Sequence, residues 1–451
     1  MRACNSNWDS MMTEITIKDS KIVEGKLSTS IKATGGLDKY FGSTEFYANY
    51  DLHIHIDESI QNIPLTATIL PLAWLTGSNI YVNKLDKTFF ESIEFLKNVF
   101  KEMYPSAPFS TEIIAEEIVE NEIQVEDPER RTGLLFSGGV DSVFSLLDNR
   151  HLNPRLIMIK GVEIGNYEKY DKYWENVVQI YKEFSIKEKV ILNVVETNAR
   201  EILKVRKVEQ DFHKLLKYGT LWARLQHSLV LIPLTAPLSF GRFDNLLISA
   251  THDSTLSYSR HPWGSQPIVD ENIRWANVKV EHTSFIPRNE KIRGAIKKYL
   301  ENDRLNLRVC SKRGRLQGTN LNCNACEKCY RTILPLILTG INVRDCGFEV
   351  NETTFQSIRE FIEDKQLDIE GLEAFWLPLQ KEIPSKFKSE ILGATEFFEW
   401  YKNLDLKSYQ ANLWFYRDVY YKLPYKLAMT LDILYKKFNI NIHEHSPIRP
   451  K

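Results

Sequence analysis

The sequence has no run of ~18 apolar residues, so it offers no candidate membrane helix. Its start, Met1 to Asn7, lacks the charged-then-apolar pattern of a secretory signal, which predicts a cytoplasmic protein. Neither sign of charge is in excess: 58 Lys and Arg stand against 59 Asp and Glu, a formal net charge of −1. A protein that grips nucleic acid along its phosphates usually needs a basic surplus. Nucleic acid is therefore not the expected partner. Cysteines number only six, and in the cytoplasm they are thiols or metal ligands rather than disulfides. No Ser/His/Asp or Cys/His arrangement for covalent catalysis is readable. The two commoner phosphate loops are missing as well. No Gly-Lys-Ser/Thr follows a glycine turn, and no Gly-x-Gly-x-x-Gly opens a helix.

What is present is globular: 43% apolar and 26% charged residues over 451 positions, enough for two or three domains with large cores. Residues 1–130 read as a β-rich domain. Leu52, Ile54 and Ile56 alternate with His53, His55 and Asp57 at the period of a strand. Leu65 to Leu70 is a second candidate strand. Phe89, Ile93, Leu96 and Phe100 fall at helical spacing. His53 and His55 could share a strand face as metal ligands, but solvent-facing positions explain them more simply. Glu116 to Arg130 is acidic and reads as a solvated connector.

From residue 131 strands and helices alternate: Gly133–Phe136, Leu156–Ile159, Val190–Val195 and Leu246–Ser249 as strands, Tyr170–Phe184 and Leu221–Leu234 as helices. The pattern predicts an α/β domain with a doubly wound parallel sheet over 131–340. Ligands of such sheets sit past the carboxyl ends of the strands, where Lys160 and Ala250-Thr251-His252 lie. Residues 341–451 read as a helical extension, with Phe355, Ile358, Phe361 and Ile362 on one face. Phe397 to Tyr401 and Leu413 to Tyr416 are rich in aromatics, mostly core, with part available as a docking surface.

The first strand of that domain runs into Ser137-Gly138-Gly139-Val140-Asp141-Ser142, and a helix follows from Val143. Strand, glycine turn and helix bring backbone N–H groups and a helix dipole to one point, which suits an anion. Asp141 repels a bare phosphate and makes sense with Mg²⁺ between them. Further on, Cys310 precedes Cys323, Cys326 and Cys329. Four thiolates at this spacing make a closed structural zinc site. An iron–sulfur run of the ferredoxin type would need a cysteine and a proline where Ile333 and Leu334 stand.

Ser-Gly-Gly-x-Asp-Ser after a strand resembles the pyrophosphate loop (PP-loop) of the N-type ATP pyrophosphatases. With the late Cys…Cys-x-x-Cys-x-x-Cys cluster, the chain resembles the 7-cyano-7-deazaguanine synthase (QueC) family over residues 131 to 340. That resemblance implies a HUP-like fold and adenylation of a 7-carboxy-7-deazaguanine by Mg-ATP, followed by attack of a nitrogen nucleophile. It assigns Ser137, Gly138, Gly139, Asp141 and Ser142 to ATP and Mg²⁺, with Asp141 catalytic, and the four cysteines to Zn²⁺. Val140 within the loop and Lys160, which at its strand end could face a phosphate or solvent, complete the candidate nucleotide set. Tyr258, Ser259 and Pro262 match the family's substrate loop, and Arg260 and Trp263 differ from it, so the substrate set is Tyr258, Ser259, Arg260 and Trp263. The extended build is similar to QueC-like proteins of bacterial antiphage systems, some of which attach the deazaguanine to a protein amine, which implies a protein partner. A tRNA-modifying relative is the alternative within the superfamily, and a non-enzymatic zinc adaptor is the outsider.

Overall fold

The computed structural model describes residues 13–163, 168–217, 219–253, 262–310, 320–364, 367 and 371–410, with 423, 424, 427 and 430. The chain forms two compact units. One comprises Met1–Glu126, Val195–Asp244 and Pro267–Val280; the other comprises Asp127–Val194, Asn245–Gln266 and Glu281–Lys451. Both differ from three consecutive domains: segments 195–244 and 267–280 group with the N-terminal part, and the C-terminal extension groups with the glycine loop.

In the first unit β1 (Glu14–Val23), β2 (Lys26–Ala33), β3 (Glu45–Tyr50), β4 (Asn79–Asp86) and β5 (Ile113–Val119) lie in the order β3-β2-β1-β4-β5. The β1/β2 and β2/β3 pairs are antiparallel, and β1/β4 and β4/β5 are parallel. Helix α1 (Ile63–Thr76) replaces the strand expected at Leu65–Leu70. Every residue from Ile63 to Leu75 is buried. A helix buried all round shows no 3.6-residue periodicity, and its short apolar run cannot be told from a strand by pattern alone. Leu52 to Ile56 is also not a strand. Its burial does alternate, with Ile54 inside and His53 and His55 exposed, but no ladder forms there. Helix α2 (Lys87–Met103) fulfils the spacing, with Phe89, Ile93, Leu96 and Phe100 all buried. Asp86 caps it by accepting from the Phe89 N–H at 2.8 Å. Part of the acidic connector is strand β5, where Glu117 pairs with Lys84 at 2.8 Å.

The second unit is α/β with parallel central strands. Here β6 (Thr132–Leu135), β7 (Arg155–Lys160), the Leu192–Val194 part of β8 (Leu192–Thr197) and β9 (Asn245–Ser249) are ordered β9-β6-β7-β8, and β6 runs parallel to both neighbours. Helices α3 (Val140–Asp148) and α4 (Asp171–Glu188) connect β6 to β7 and β7 to β8. Helix α5 (Glu327–Leu338) follows the cysteine cluster, and α6 (Glu352–Glu363) and α7 (Ala394–Lys402) belong to the C-terminal extension. Their apolar faces join one core. Leu134, Val143, Met158, Val177 and Ile333 share a buried cluster with Ile358, Trp376, Phe397 and Tyr401. The extension is thus part of this unit's core, as the richness of Phe397 to Tyr401 in aromatics suggests. Leu413–Tyr416 lies outside the described residues.

Among the described residues no helix is long and apolar enough to cross a membrane.

Candidate functional site

β6 is buried at all four positions and ends under the glycine loop. The Phe136 N–H continues the ladder by bonding the Ile157 carbonyl at 2.9 Å. Helix α3 starts earlier than the sequence suggests, so Val140, Asp141 and Ser142 sit in its first turn. The N–H groups of that turn have no intrahelical acceptor. Gly138 has φ +76°, and a Cβ built on it would lie 2.0 Å from the Tyr181 hydroxyl. Only glycine fits there, for conformation and for space alike. The loop is closed by its own serines: the Ser137 N–H donates to Ser142 Oγ at 3.2 Å, and the Gly139 N–H donates to Ser137 Oγ at 3.3 Å.

Asp141 holds the electrostatic centre. Arg288 Nη2 lies 2.5 Å from its Oδ2, and Lys291 Nζ lies 2.9 Å from its Oδ1. Lys291 is fully buried and also donates to the Ala250 carbonyl at 2.7 Å, which ties it to the end of β9. Burial by itself would raise the Asp141 carboxyl, but Arg288 and Lys291 outweigh it and bring the pKa down to about 2. The third cation, Arg308, is buried too. Its Nε donates to the Ser137 carbonyl and its backbone N–H to the Gly138 carbonyl, each at 2.7 Å. Tyr181 donates to the Gly138 and Asn306 carbonyls at 3.1 and 2.8 Å. Three chain segments therefore converge on one loop.

Lys160, at the end of β7, is buried and bonds Asp171 Oδ1 at 2.9 Å. Glu163, three residues on, lies 3.5 Å from Arg308 Nη2. Trp263 is buried with its ring edge-on to His252 at 5.5 Å, past the end of β9. Tyr258, Ser259 and Arg260 lie outside the described residues.

The cysteine sulfurs of Cys310, Cys323, Cys326 and Cys329 all lie within 4.8 Å of one another. Three of the separations are 3.5, 4.0 and 4.0 Å. A Zn–S bond of about 2.3 Å gives a tetrahedron edge of about 3.8 Å, so the donor set fits a metal such as zinc. The separations are far beyond a disulfide, and none of the four cysteines is disulfide-bonded. Local hydrogen bonds build the cluster. The Val309 N–H donates to Asn322 Oδ1 at 3.0 Å, and Asn322 Nδ2 donates to the Leu307 carbonyl at 2.7 Å. Cys326 is the N-cap of α5, whose first turn carries Cys329. Cys310 stands two residues after Arg308, so one short segment serves both the cluster and the loop.

Arg288, Lys291, Arg308 and Tyr181 escaped the sequence analysis. The signal for the first two was faint: two cations three apart, after Pro287, among 58 lysines and arginines. His53 and His55 have no acidic or cysteine partner in a metal-holding group, and among the described residues the cysteines form the one such group.

No family model, no curated protein and no solved structure matches the chain.

Proposed function

We propose that the chain is an ATP-dependent, carboxylate-activating enzyme of the PP-loop type, similar to QueC and with a HUP-like second unit. ATP would be cleaved between its α and β phosphates, the substrate carboxylate taking the AMP and a nitrogen nucleophile displacing it. The observation that carries this is the loop Ser137–Ser142, at the end of a central parallel strand and opening a helix, faced by Arg288, Lys291 and Arg308. The Asp141 carboxylate faces two cations, the buried Lys291 and the largely buried Arg288, and a third, Arg308, is buried beside the loop with Glu163 nearby. Such an arrangement is costly for stability alone, and an incoming pyrophosphate would repay it.

Each residue has a definable task. The first-turn N–H groups of α3 and the loop amides would donate to phosphate oxygens. Arg288 and Lys291 would supply positive charge where the leaving group gathers negative charge. Asp141, held ionised, is the carboxylate that a magnesium ion on the phosphates needs. Mg²⁺, when bound, supplies charge neutralisation on the triphosphate. Catalysis would come from positioning and electrostatics without a covalent enzyme nucleophile. Zinc in the Cys310, Cys323, Cys326 and Cys329 set would anchor the segment that carries Arg308. Trp263 and, by resemblance, Tyr258, Ser259 and Arg260 would contribute to the substrate side, a 7-carboxy-7-deazaguanine-type carboxylate being the expected substrate by the same resemblance.

The experiment is mass spectrometry of AMP, pyrophosphate and products after incubation with Mg-ATP and 7-carboxy-7-deazaguanine, with and without ammonia and candidate protein amines. Release of AMP and pyrophosphate that requires the carboxylate supports the proposal. Intact ATP under every combination refutes it. An ammonia-dependent nitrile points to synthase chemistry, and a mass shift on a protein points to conjugation in an antiphage system.

A further inference from the structure

The C-terminal extension places one of its aromatic side chains against the candidate phosphate site. The π-helical segment Leu372–Trp376 carries Phe375, which is 9% exposed. Two guanidinium groups lie over its ring, Arg331 at 4.0 Å and Arg288 at 4.9 Å from the ring centroid. Both are within the range of a cation–π contact, which strengthens when water is excluded. Arg331 has its own support. Arg331 Nη1 lies 3.9 Å from Glu327 Oε1, and that oxygen accepts from Trp376 Nε1 at 3.3 Å. His252, past the end of β9, packs its ring 5.7 Å from Phe375.

Arg288 is the one paired with Asp141. Its Nε is buried and finds no hydrogen-bond partner among the described residues. A guanidinium has five N–H donors in a rigid fork. A second carboxylate could orient it, but would also neutralise it and occupy its donors. An aromatic face orients the same group without doing either. We propose that Phe375 is a positioning residue: it holds Arg288 in line with the loop while leaving its charge and donors for an anionic ligand. The extension is then a working part of the anion site. This rests on the anion-site assignment made above.

The test is the affinity for inorganic pyrophosphate, measured by calorimetry on the full chain. Phe375→Ala should weaken binding roughly tenfold, the scale of one desolvated cation–π contact. Phe375→Tyr should stay within about twofold of the parent, because the ring face is retained. Phe375→Leu, which keeps bulk and loses the ring, should fall with alanine. In an Arg288→Met background Phe375→Ala should cost nothing further, since the residue it acts through is gone. Equal binding by the parent and Phe375→Ala, rescue by leucine as complete as by tyrosine, or full additivity with Arg288→Met would each overturn the inference alone. A parent chain that binds no pyrophosphate overturns it together with the anion-site assignment. Should Phe375→Ala not fold, the leucine and tyrosine variants decide the matter by the same comparison.

Discussion

Replacing Asp141 with asparagine removes one negative charge from between two buried cations and keeps the side-chain shape. Arg288 and Lys291 touch its two oxygens at 2.5 and 2.9 Å, and the Asp141 side chain is 17% exposed. In the parent the local charge is one carboxylate against two cations. In the variant both cations face any ligand unopposed. At about 5 Å and an effective dielectric of about 20, one unit charge acts on another with about 3 kcal/mol. Halving this for residual solvent leaves about 1.5 kcal/mol, roughly tenfold in affinity. Calorimetry in EDTA should therefore show Asp141→Asn binding metal-free pyrophosphate roughly tenfold more tightly than the parent. Adding Mg²⁺ should strengthen binding in the parent and leave the variant nearly unchanged, because the metal's carboxylate is missing. The same change should lower stability by about 3 kcal/mol, since two buried cations lose their counter-charge, so melting is followed in parallel. A variant that binds metal-free pyrophosphate no better than the parent, or that keeps the whole magnesium effect, refutes the assignment of Asp141 as the metal-holding carboxylate among phosphate-binding cations.

Two further outcomes follow from the geometry. Gly138→Ala should destabilise the chain by more than about 2 kcal/mol in urea unfolding, through positive φ and overlap with the Tyr181 hydroxyl; an unchanged midpoint would mean the loop is not held as described. Metal analysis should find about one zinc per chain, and Cys326→Ser should lose it together with several degrees of thermal stability; iron with acid-labile sulfide would overturn the zinc assignment.

The glycine loop and the cysteine cluster were readable because each is local. Six consecutive residues make the loop, and three of the four cysteines span seven. The parallel strands β6, β7 and β9 were equally plain, being short apolar runs that end where polar residues begin. Failures occurred where environment overrides pattern. Helix α1 is surrounded by protein, so the contrast that marks a helix face vanished. Leu52 to Ile56 alternates in burial without a neighbouring strand to bond.

By itself, then, the sequence determined where backbone amides, glycine freedom, a carboxylate and four thiols gather, because covalent neighbours cannot be separated. Only the tertiary structure decided what opposes Asp141. Arg288 and Lys291 are some 150 positions away along the chain, and Phe375 is further still. Their meeting depends on which strand ends lie side by side and which aromatic faces the core leaves inward. Those outcomes belong to the packing of the whole unit, and no stretch of the chain encodes them alone.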